Sequence, residues 1–529
     1  MKLLGLLYLL FVSALYSIAQ PIINERYTIG SASIFANVIA SDSCYYVTGM
    51  RALQQGFSLQ EGVFIKFNLD GSIADTTYYK NDSANYVFWE SSNLIRTLDV
   101  NFAQTFATDT IGSHKYFGFI KLKPNGDTLI FRTYLDLYQQ NNDDRVVQPG
   151  GFLQDPIDSA FYGTVNVYRY SDLVGGTALF KISKTGELLW HQTYYGVLGN
   201  FRIFNAASLI KIAPDRLMIG GTQTHTPVAN ADWRDNTKIL IVDTLGNIIQ
   251  TKIYPADQLA NGCNGLTQTM DGGYIYGGQN GTFVQNGNAR RYQARIVKLN
   301  ANLIEEWRIE EDQSKSQTSV NFENILKVND TSFVAIGKTI DSLTYNFYNT
   351  AGRMLKFNLN GDVLWRRYYQ KVLPDQNTNN FPTHILYDVA ITPDSGFVMV
   401  GQSQNFEASN PEPLGQLGWL VKADKHGCLV PGCEQFDGLS ISQTDLPEIG
   451  LKVYPNPASN ELFVYYSNAA HTNNVSASLY NSNGQEILIF DMSTNNTTYM
   501  LNVAALSKGI YFLKVTSDVS ERVKKIIVE

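Results

Sequence analysis

Met354-Leu-Lys-Phe-Asn-Leu-Asn-Gly361, followed by Val363-Leu-Trp-Arg-Arg-Tyr-Tyr369, is the stretch on which the fold turns. Its first half alternates apolar and polar residues, as a half-buried strand does. Asn360-Gly361 supplies a turn whose glycine accepts positive φ, and a second strand-like run rich in aromatics follows. The unit is a β-hairpin.

Working outward, the same unit recurs. Phe64-Ile-Lys-Phe-Asn-Leu-Asp-Gly71, Phe119-Ile-Lys-Leu-Lys-Pro-Asn-Gly126, Leu179-Phe-Lys-Ile-Ser-Lys-Thr-Gly186 and Leu240-Ile-Val-Asp-Thr-Leu-Gly246 precede it. Ile296-Val-Lys-Leu-Asn-Ala-Asn-Leu303 has lost the glycine, and Leu420-Val-Lys-Ala-Asp-Lys-His-Gly427 is the last copy. Measured between turn positions, successive intervals are 55, 60, 60, 57, 58 and 66 residues. A repeat of this length marks a chain built of stacked identical units. A further strand pair stands upstream of each hairpin, as in Gly265 to Gly278 and Val389 to Gly401. Four strands in each of seven units predict an all-β fold, a seven-bladed β-propeller of four-stranded blades.

The chain ends bear on closure. Gly427-Cys-Leu-Val-Pro-Gly-Cys433 interrupts the seventh unit where its last strand is due, while Asn24-Glu-Arg-Tyr-Thr-Ile29 reads as a last strand without a unit. Residues 24–29 are therefore expected to complete the seventh blade and cover both open edges. Six copies also carry a lysine five residues before the turn position: Lys66, Lys121, Lys181, Lys298, Lys356 and Lys422. Their neighbours are apolar, so period two places all six on the opposite face. The expectation is a solvent-facing position repeated by duplication, in preference to an anion-binding ring.

Composition agrees with a folded β-protein. The chain has 529 residues, 44% hydrophobic and 17% charged, with 12% aromatic residues and 41 glycines. A net charge of −7 gives no reason to expect nucleic acid as a partner. At the N-terminus Lys2, the apolar run Leu3 to Val12 and Ser17-Ile18-Ala19 form a signal peptide over residues 1–19, cut before Gln20. No later apolar run is long enough to cross a bilayer, so no membrane span is expected in the mature chain.

Four cysteines are present. Cys428 and Cys433 bracket the turn-forming Leu-Val-Pro-Gly and are expected to form a disulfide in an exported protein. Zinc there would need two more ligands, with His426 alone in reach, so no metal is expected. Cys44 and Cys263 fall in units one and four, too far apart to pair. The motifs of serine hydrolases, zinc proteases, phosphate-binding loops and calcium loops are missing, so no catalytic residue and no cofactor is assigned. The nearest constellation, His225 with Asp232 and Asp235, lies in a polar loop and reads as solvated. The pairs Asp143-Asp144 and Glu305-Glu306 point to opposite faces of a strand. Longer loops, Tyr138 to Gly150, Thr222 to Thr237, Gln279 to Gln293, Lys338 to Arg353 and Gln402 to Gln416, are rich in Asn, Gln and Tyr. Such side chains suit glycan or protein contact by stacking and hydrogen bonding.

The chain divides as a propeller over 20–433, a polar linker over 434–449 and a small β-sandwich over 450–529. That last part begins Leu451-Lys-Val-Tyr454-Pro455-Asn456-Pro457 and passes through an Asn-Gly484-Gln hairpin. It continues through Leu506-Ser-Lys-Gly509-Ile-Tyr511 to Lys524-Lys525-Ile-Ile-Val528. In this order the motifs resemble the type A sorting domain, an Ig-like sandwich, of Bacteroidota type IX secretion cargo. The resemblance implies recognition by the type IX machinery and delivery to the outer cell surface or the medium. It gives these residues a recognition role and no catalysis. The repeats resemble the uncharacterised propellers attached to such tails, which implies no activity. A binding or adhesion module with an extracellular glycan or protein ligand is the reading adopted. The alternatives are a secreted carbohydrate-active enzyme, lyase or glycosidase, with its site in the propeller channel, and a structural surface component.

Overall fold

The computed structural model describes residues 20–528 apart from segments 54–59, 81–83, 90, 111–113, 135–143, 170–173, 196–201, 226–233, 256–259, 284–289, 312–319, 341–349, 373–381, 407–411, 431, 435–449, 468–474, 482–484, 492–496 and 518–519. The predicted signal peptide and nearly all of the predicted linker lie outside the described residues. Two compact units are present, Met1–Asp437 and Gly438–Glu529.

Seven antiparallel blades make up the first unit, with blades four and five joined into one sheet by the short strand Ala260–Asn261, which pairs parallel at Asp235. Blade one is Ala32–Ala40, Cys44–Ala52, Gln60–Asn68 and Ile73–Tyr79. In blade two the innermost strand is split into Ala84–Val87 and Ile95–Arg96, followed by Phe102–Thr110, His114–Leu122 and Thr128–Tyr134. Blade three is Asp144–Gln154, Phe161–Arg169, Val174–Ile182 and Leu188–Tyr195. Arg202–Ala213, Arg216–His225, Arg234–Asp243 and Ile248–Tyr254 form blade four. Gly265–Gln268, Tyr274–Phe283, Arg290–Leu299 and Glu305–Glu311 form blade five. Blade six is Asn321–Lys327, Ser332–Ile340, Thr350–Asn358 and Val363–Tyr369. Blade seven takes Thr383–Ile391, Phe397–Asn405 and Gly415–Ala423 from the end of the unit. Its fourth strand is the N-terminal Ile23–Tyr27, in register from Ile23 opposite Lys422 to Tyr27 opposite Gly418. The ring is closed by its two ends.

The core consists of seven apolar wedges, one between each pair of neighbouring blades. Both faces of a blade feed them. Phe180 and Ile182 pack towards blade two, while Leu179 between Ala178 and Phe180 packs towards blade four. That geometry corrects the expectation for the repeated lysines. The face opposite the apolar neighbours is the next blade and not solvent. Lys121, Lys298 and Lys422 are buried, and Lys66, Lys181 and Lys356 are half-buried. Burial of an ammonium demands a partner, and four of the six have one at the tight turn of their own blade. The pairs are Lys121–Asp99 at 2.7 Å, Lys181–Asp158 at 2.6 Å, Lys298–Asp271 at 2.9 Å and Lys422–Asp394 at 3.0 Å.

A second device repeats around the ring. Eight residues after the hairpin turn, a tyrosine hydroxyl donates to the turn carbonyl of the next blade. Tyr79 reaches Gly126, Tyr134 reaches Gly186, Tyr194 reaches Gly246, Tyr254 reaches Leu303 and Tyr369 reaches Gly427, all at 2.7–2.8 Å. Tyr27 on the N-terminal strand makes the same bond to Gly71 at 2.7 Å, sealing blade seven to blade one. At the joint between blades five and six Glu311 stands in the tyrosine's place. It accepts two hydrogen bonds from Arg366 at 2.6 and 2.8 Å, and Trp307 Nε1 donates to Leu359. The turn that lost its glycine keeps its conformation, with Leu303 at φ 58 and packed in the wedge between blades four and five.

The second unit is a β-sandwich. One sheet orders Gly450–Tyr454, Glu461–Ser467 and Thr497–Asn502, and the other orders Glu486–Asp491, Val475–Asn481, Gly509–Ser517 and Ser520–Val528. Leu462, Leu479, Leu513 and Ile526 are among the residues of its core.

Candidate functional site

Blade topology separates two ends. In an antiparallel blade, the first-to-second and third-to-fourth connections share one end, and the second-to-third and blade-to-blade connections share the other. At the first end every connection is a tight turn, such as Ser41 to Ser43, Lys123 to Asp127 or Thr392 to Gly396. The described strands that flank segments 135–143, 226–233, 312–319, 341–349 and 373–381 meet those segments at the second end. The longer loops singled out from the sequence belong to this end, with much of each outside the described residues.

Between the ends, the innermost strands surround the axis and are irregular. Their pairing shifts register between Phe35 and Asn37, Ala206 and Ser208, Phe322 and Asn324, and Leu386 and Asp388. Along these strands, polar side chains tie six of the seven neighbouring blade pairs. Asn37 donates to the Trp89 carbonyl, Ser91 to Pro149 and Ser208 to Asn264, at 3.3, 2.6 and 2.6 Å. Asn264 donates to Phe322 at 3.1 Å, and Asn324 to Asp388 Oδ1 at 2.9 Å. Asp388 Oδ2 accepts the Val38 amide at 2.8 Å, and Oδ1 that of Val389. Burial pushes the Asp388 carboxyl up to about 6 against these three hydrogen bonds. Glu323 is raised by burial too, opposed by Lys338 and by hydrogen bonding from Asn321. Sequence reasoning missed these two carboxylates of the innermost strands. No motif marks them, because the bulges that place them have no residue signature.

The remaining candidates are structural in setting. His384 is fully buried, its Nε2 accepting the amides of Lys371 and Val372 and its Nδ1 lying 2.8 Å from the Thr350 carbonyl. His225 ends the second strand of blade four, Asp235 lies opposite Thr224, and Asp232 is outside the described residues. Glu305 pairs with Arg308 and Glu306 with Lys298, so the two adjacent carboxylates serve different cations. Burial pushes the free Cys263 thiol up to about 12, removing it as a nucleophile at neutral pH. Cys44 is free and buried as well. Asp424, Cys428 and Glu434 converge, but the Cys428 sulfur is bonded to Cys433 and Asp424 Oδ1 accepts the amides of His426 and Cys428. A metal does not fit that set.

In the second unit the motif residues meet. Asn456 donates to the Lys525 carbonyl and accepts the Ile527 amide, both at 2.8 Å, so the Tyr454–Pro457 turn is clamped to the last strand. Lys524 and Lys525 are half-buried there, opposite Leu513 and Phe512. Tyr511, opposite Ile526, donates its hydroxyl to Ser507, and Gly509 lies opposite Val528. Gly484 lies outside the described residues. No helix among the described residues is long and apolar enough to cross a membrane.

No curated protein matches the chain. Among solved structures it is similar to the cobalt-substituted apocarotenoid oxygenase of Synechocystis, at 11% identity and TM-score 0.39, over 77% of this chain and 95% of that one. It is similar to a protein of unknown function from Dyadobacter fermentans, at 10% identity and TM-score 0.40, over 65% and 96%. An α-L-arabinofuranosidase from Fusarium graminearum is matched at 10% identity and TM-score 0.39, over 63% and 92%. Residues 452–529 match the family model of the secretion system C-terminal sorting domain, and this domain makes the chain type IX secretion cargo, secreted and carried to the outer cell surface.

Proposed function

We propose that the propeller is a binding module displayed at the outer cell surface, taking an extracellular glycan or protein on the end that carries its longer connections. One observation supports this reading: length variation is confined to one end of a ring whose joints are individually bolted. Seven wedges and seven hydrogen-bonded joints hold the blades fixed, so segments at that end can vary in length and sequence without cost to the fold. Their Asn, Gln and Tyr content suits stacking against sugar rings and amide hydrogen bonding. The test is a glycan array probed with the secreted chain, beside a variant in which 341–349 and 407–411 are replaced by short Gly-Ser turns. Binding that disappears in the variant is the expected result. Cleavage of a polysaccharide by the wild-type chain in a parallel hydrolase and lyase screen would replace this reading with an enzyme.

A further inference from the structure

At the opposite, tight-turn end, the turns of blades seven, one and two enclose a cleft of about 450 Å³. Its walls are Ala40 to Ser43, Arg96 with Val100, and Ile391 to Pro393, with Tyr46 and Phe102 lining it as well. A volume in the range of roughly 300–1,000 Å³ is that of small-molecule sites. Two charged side chains line it without spending their charge on the fold. Arg96 and Asp42 are both exposed, and neither makes an ion pair among the described residues. This contrasts with the turns of blades two, three, five and seven, whose aspartates are each taken by a lysine.

The apolar part of the cleft is equally unlike its counterparts. The left-handed turn position is Ser159 in blade three, Gly272 in blade five and Ser395 in blade seven, but Val100 in blade two, at φ 58. A β-branched residue in that region is strained. Burial does not offset the strain, since Val100 is 61% exposed and lines the cleft. Tyr46 is half-buried and backed by Phe102 at 4.6 Å between ring centroids. Arg96 lies close enough to the Tyr46 hydroxyl to pull its pKa down, against burial and the neighbouring Cys44 thiol, which push it up to about 12.

We propose that this cleft binds an acidic saccharide, a uronate unit of an extracellular polysaccharide. Arg96 holds the carboxylate, Asp42 and Ser43 accept and donate hydrogen bonds to ring hydroxyls, and Val100 with Tyr46 receives the apolar C–H face. A guanidinium matches a planar carboxylate better than any neutral sugar group does. A peptide is disfavoured because the walls are closed turns whose amides are already bonded, Ser41 to Cys44, Thr97 to Asn101, Val100 to Thr97 and Thr392 to Gly396. A peptide strand would need an open edge to pair with. The site is at the other end of the blades from the longer connections, so it stands or falls independently of them.

Titration calorimetry of the secreted chain with sodium trigalacturonate, maltotriose and a dipeptide tests the proposal. The acidic trisaccharide is expected to bind and the neutral one to bind at least about tenfold more weakly, as the loss of one charge-assisted hydrogen bond implies. Arg96→Gln should erase that difference while leaving the melting temperature unchanged, and Arg96→Lys should retain part of it. Rising salt should weaken trigalacturonate and leave maltotriose alone. Equal uronate binding by Arg96→Gln, preference for the dipeptide, or no heat with trigalacturonate at millimolar concentration overturns it. Uronate binding lost with the 341–349 and 407–411 replacements, but kept in Arg96→Gln, would transfer the ligand to the other end.

Discussion

Changing Tyr194 to Phe removes one hydroxyl, which donates to the Gly246 carbonyl of the next blade at 2.7 Å, and leaves the ring in place. Tyr194 is 6% exposed, so water does not readily replace the lost donor. A buried hydrogen bond of this kind contributes about 1 kcal/mol net, and a carbonyl left unpaired raises the cost towards about 2 kcal/mol. Tyr79 and Tyr134 are in the same setting, with the same expected loss. The six tyrosines sit at six different joints, far enough apart for their effects to add. The sixfold Phe variant should then lose roughly 6–12 kcal/mol, against a whole-domain stability of about 5–15 kcal/mol. Urea unfolding followed by tryptophan fluorescence reads this directly. Single variants should unfold at lower urea with an unchanged slope, and the sixfold variant should fail to hold the native state. A Tyr194→Phe midpoint equal to wild type, or a sixfold variant that still folds at full stability, would show that the wedges alone close the ring.

The same phenols predict alkaline behaviour. Burial raises Tyr27, Tyr79, Tyr134, Tyr194, Tyr254 and Tyr369 above the ordinary tyrosine value. Their contribution is complete below about pH 10 and falls as pH rises, by about 1.4 kcal/mol per unit each and about 8 kcal/mol per unit for six. Phenolate absorbance should therefore jump together with loss of near-UV circular dichroism shortly above pH 10, and a gradual rise with the fold intact would contradict it. Lys422→Met leaves Asp394 buried without its cation and should cost about 3–5 kcal/mol, while adding Asp394→Asn should recover part of that in the same urea assay. On the acid side, Asp388, raised to about 6, loses stability as pH rises through 4 to 6. Asp99 and Asp271 are held at about 2 by hydrogen bonds from Lys121 with Thr97 and from Lys298 with Thr269, against burial, and lose stability as pH falls below 4. The melting temperature should peak between about pH 4 and 5, and Asp388→Ala should flatten the slope above the peak. A chain ending at Asp437 should remain in the periplasm of a type IX host, as read by fractionation.

The blades were legible because one hairpin, quoted from Met354 to Tyr369, repeats with its turn glycine, and the terminal motifs of the tail are linear. The joints were hidden in plain view. A tyrosine eight residues beyond five of the seven turns is visible in the sequence, but nothing in a strand's own pattern says that its hydroxyl ends on another blade. The lysines misled for a related reason. Alternation reports that successive side chains point to opposite faces, and it equates the second face with water only where a sheet is covered on one side. Phe180 and Lys181 obey the alternation and are still both withdrawn from solvent, because blades cover one another on both sides. Glu323 and Asp388 were out of reach altogether, since a register shift of one residue leaves no compositional trace.

Double coverage also constrains where this propeller can do chemistry. A side chain in the middle of a blade must enter a wedge, as Leu179 does, or carry its own counter-charge, as Lys298 does with Asp271 and Glu306. Along the axis, Asp388 spends both carboxylate oxygens on amides of blades one, six and seven, so using it for a ligand would open a joint. Replacing one tie is costly because the partner amide remains buried. What can change without opening the ring is the two ends, and at the tight-turn end polar groups such as Arg96 and Asp42 stand exposed beside Val100. Selection for a new ligand on this scaffold therefore acts first on the connections of one end and on turn residues such as Val100 at the other, while the bolts between blades stay fixed.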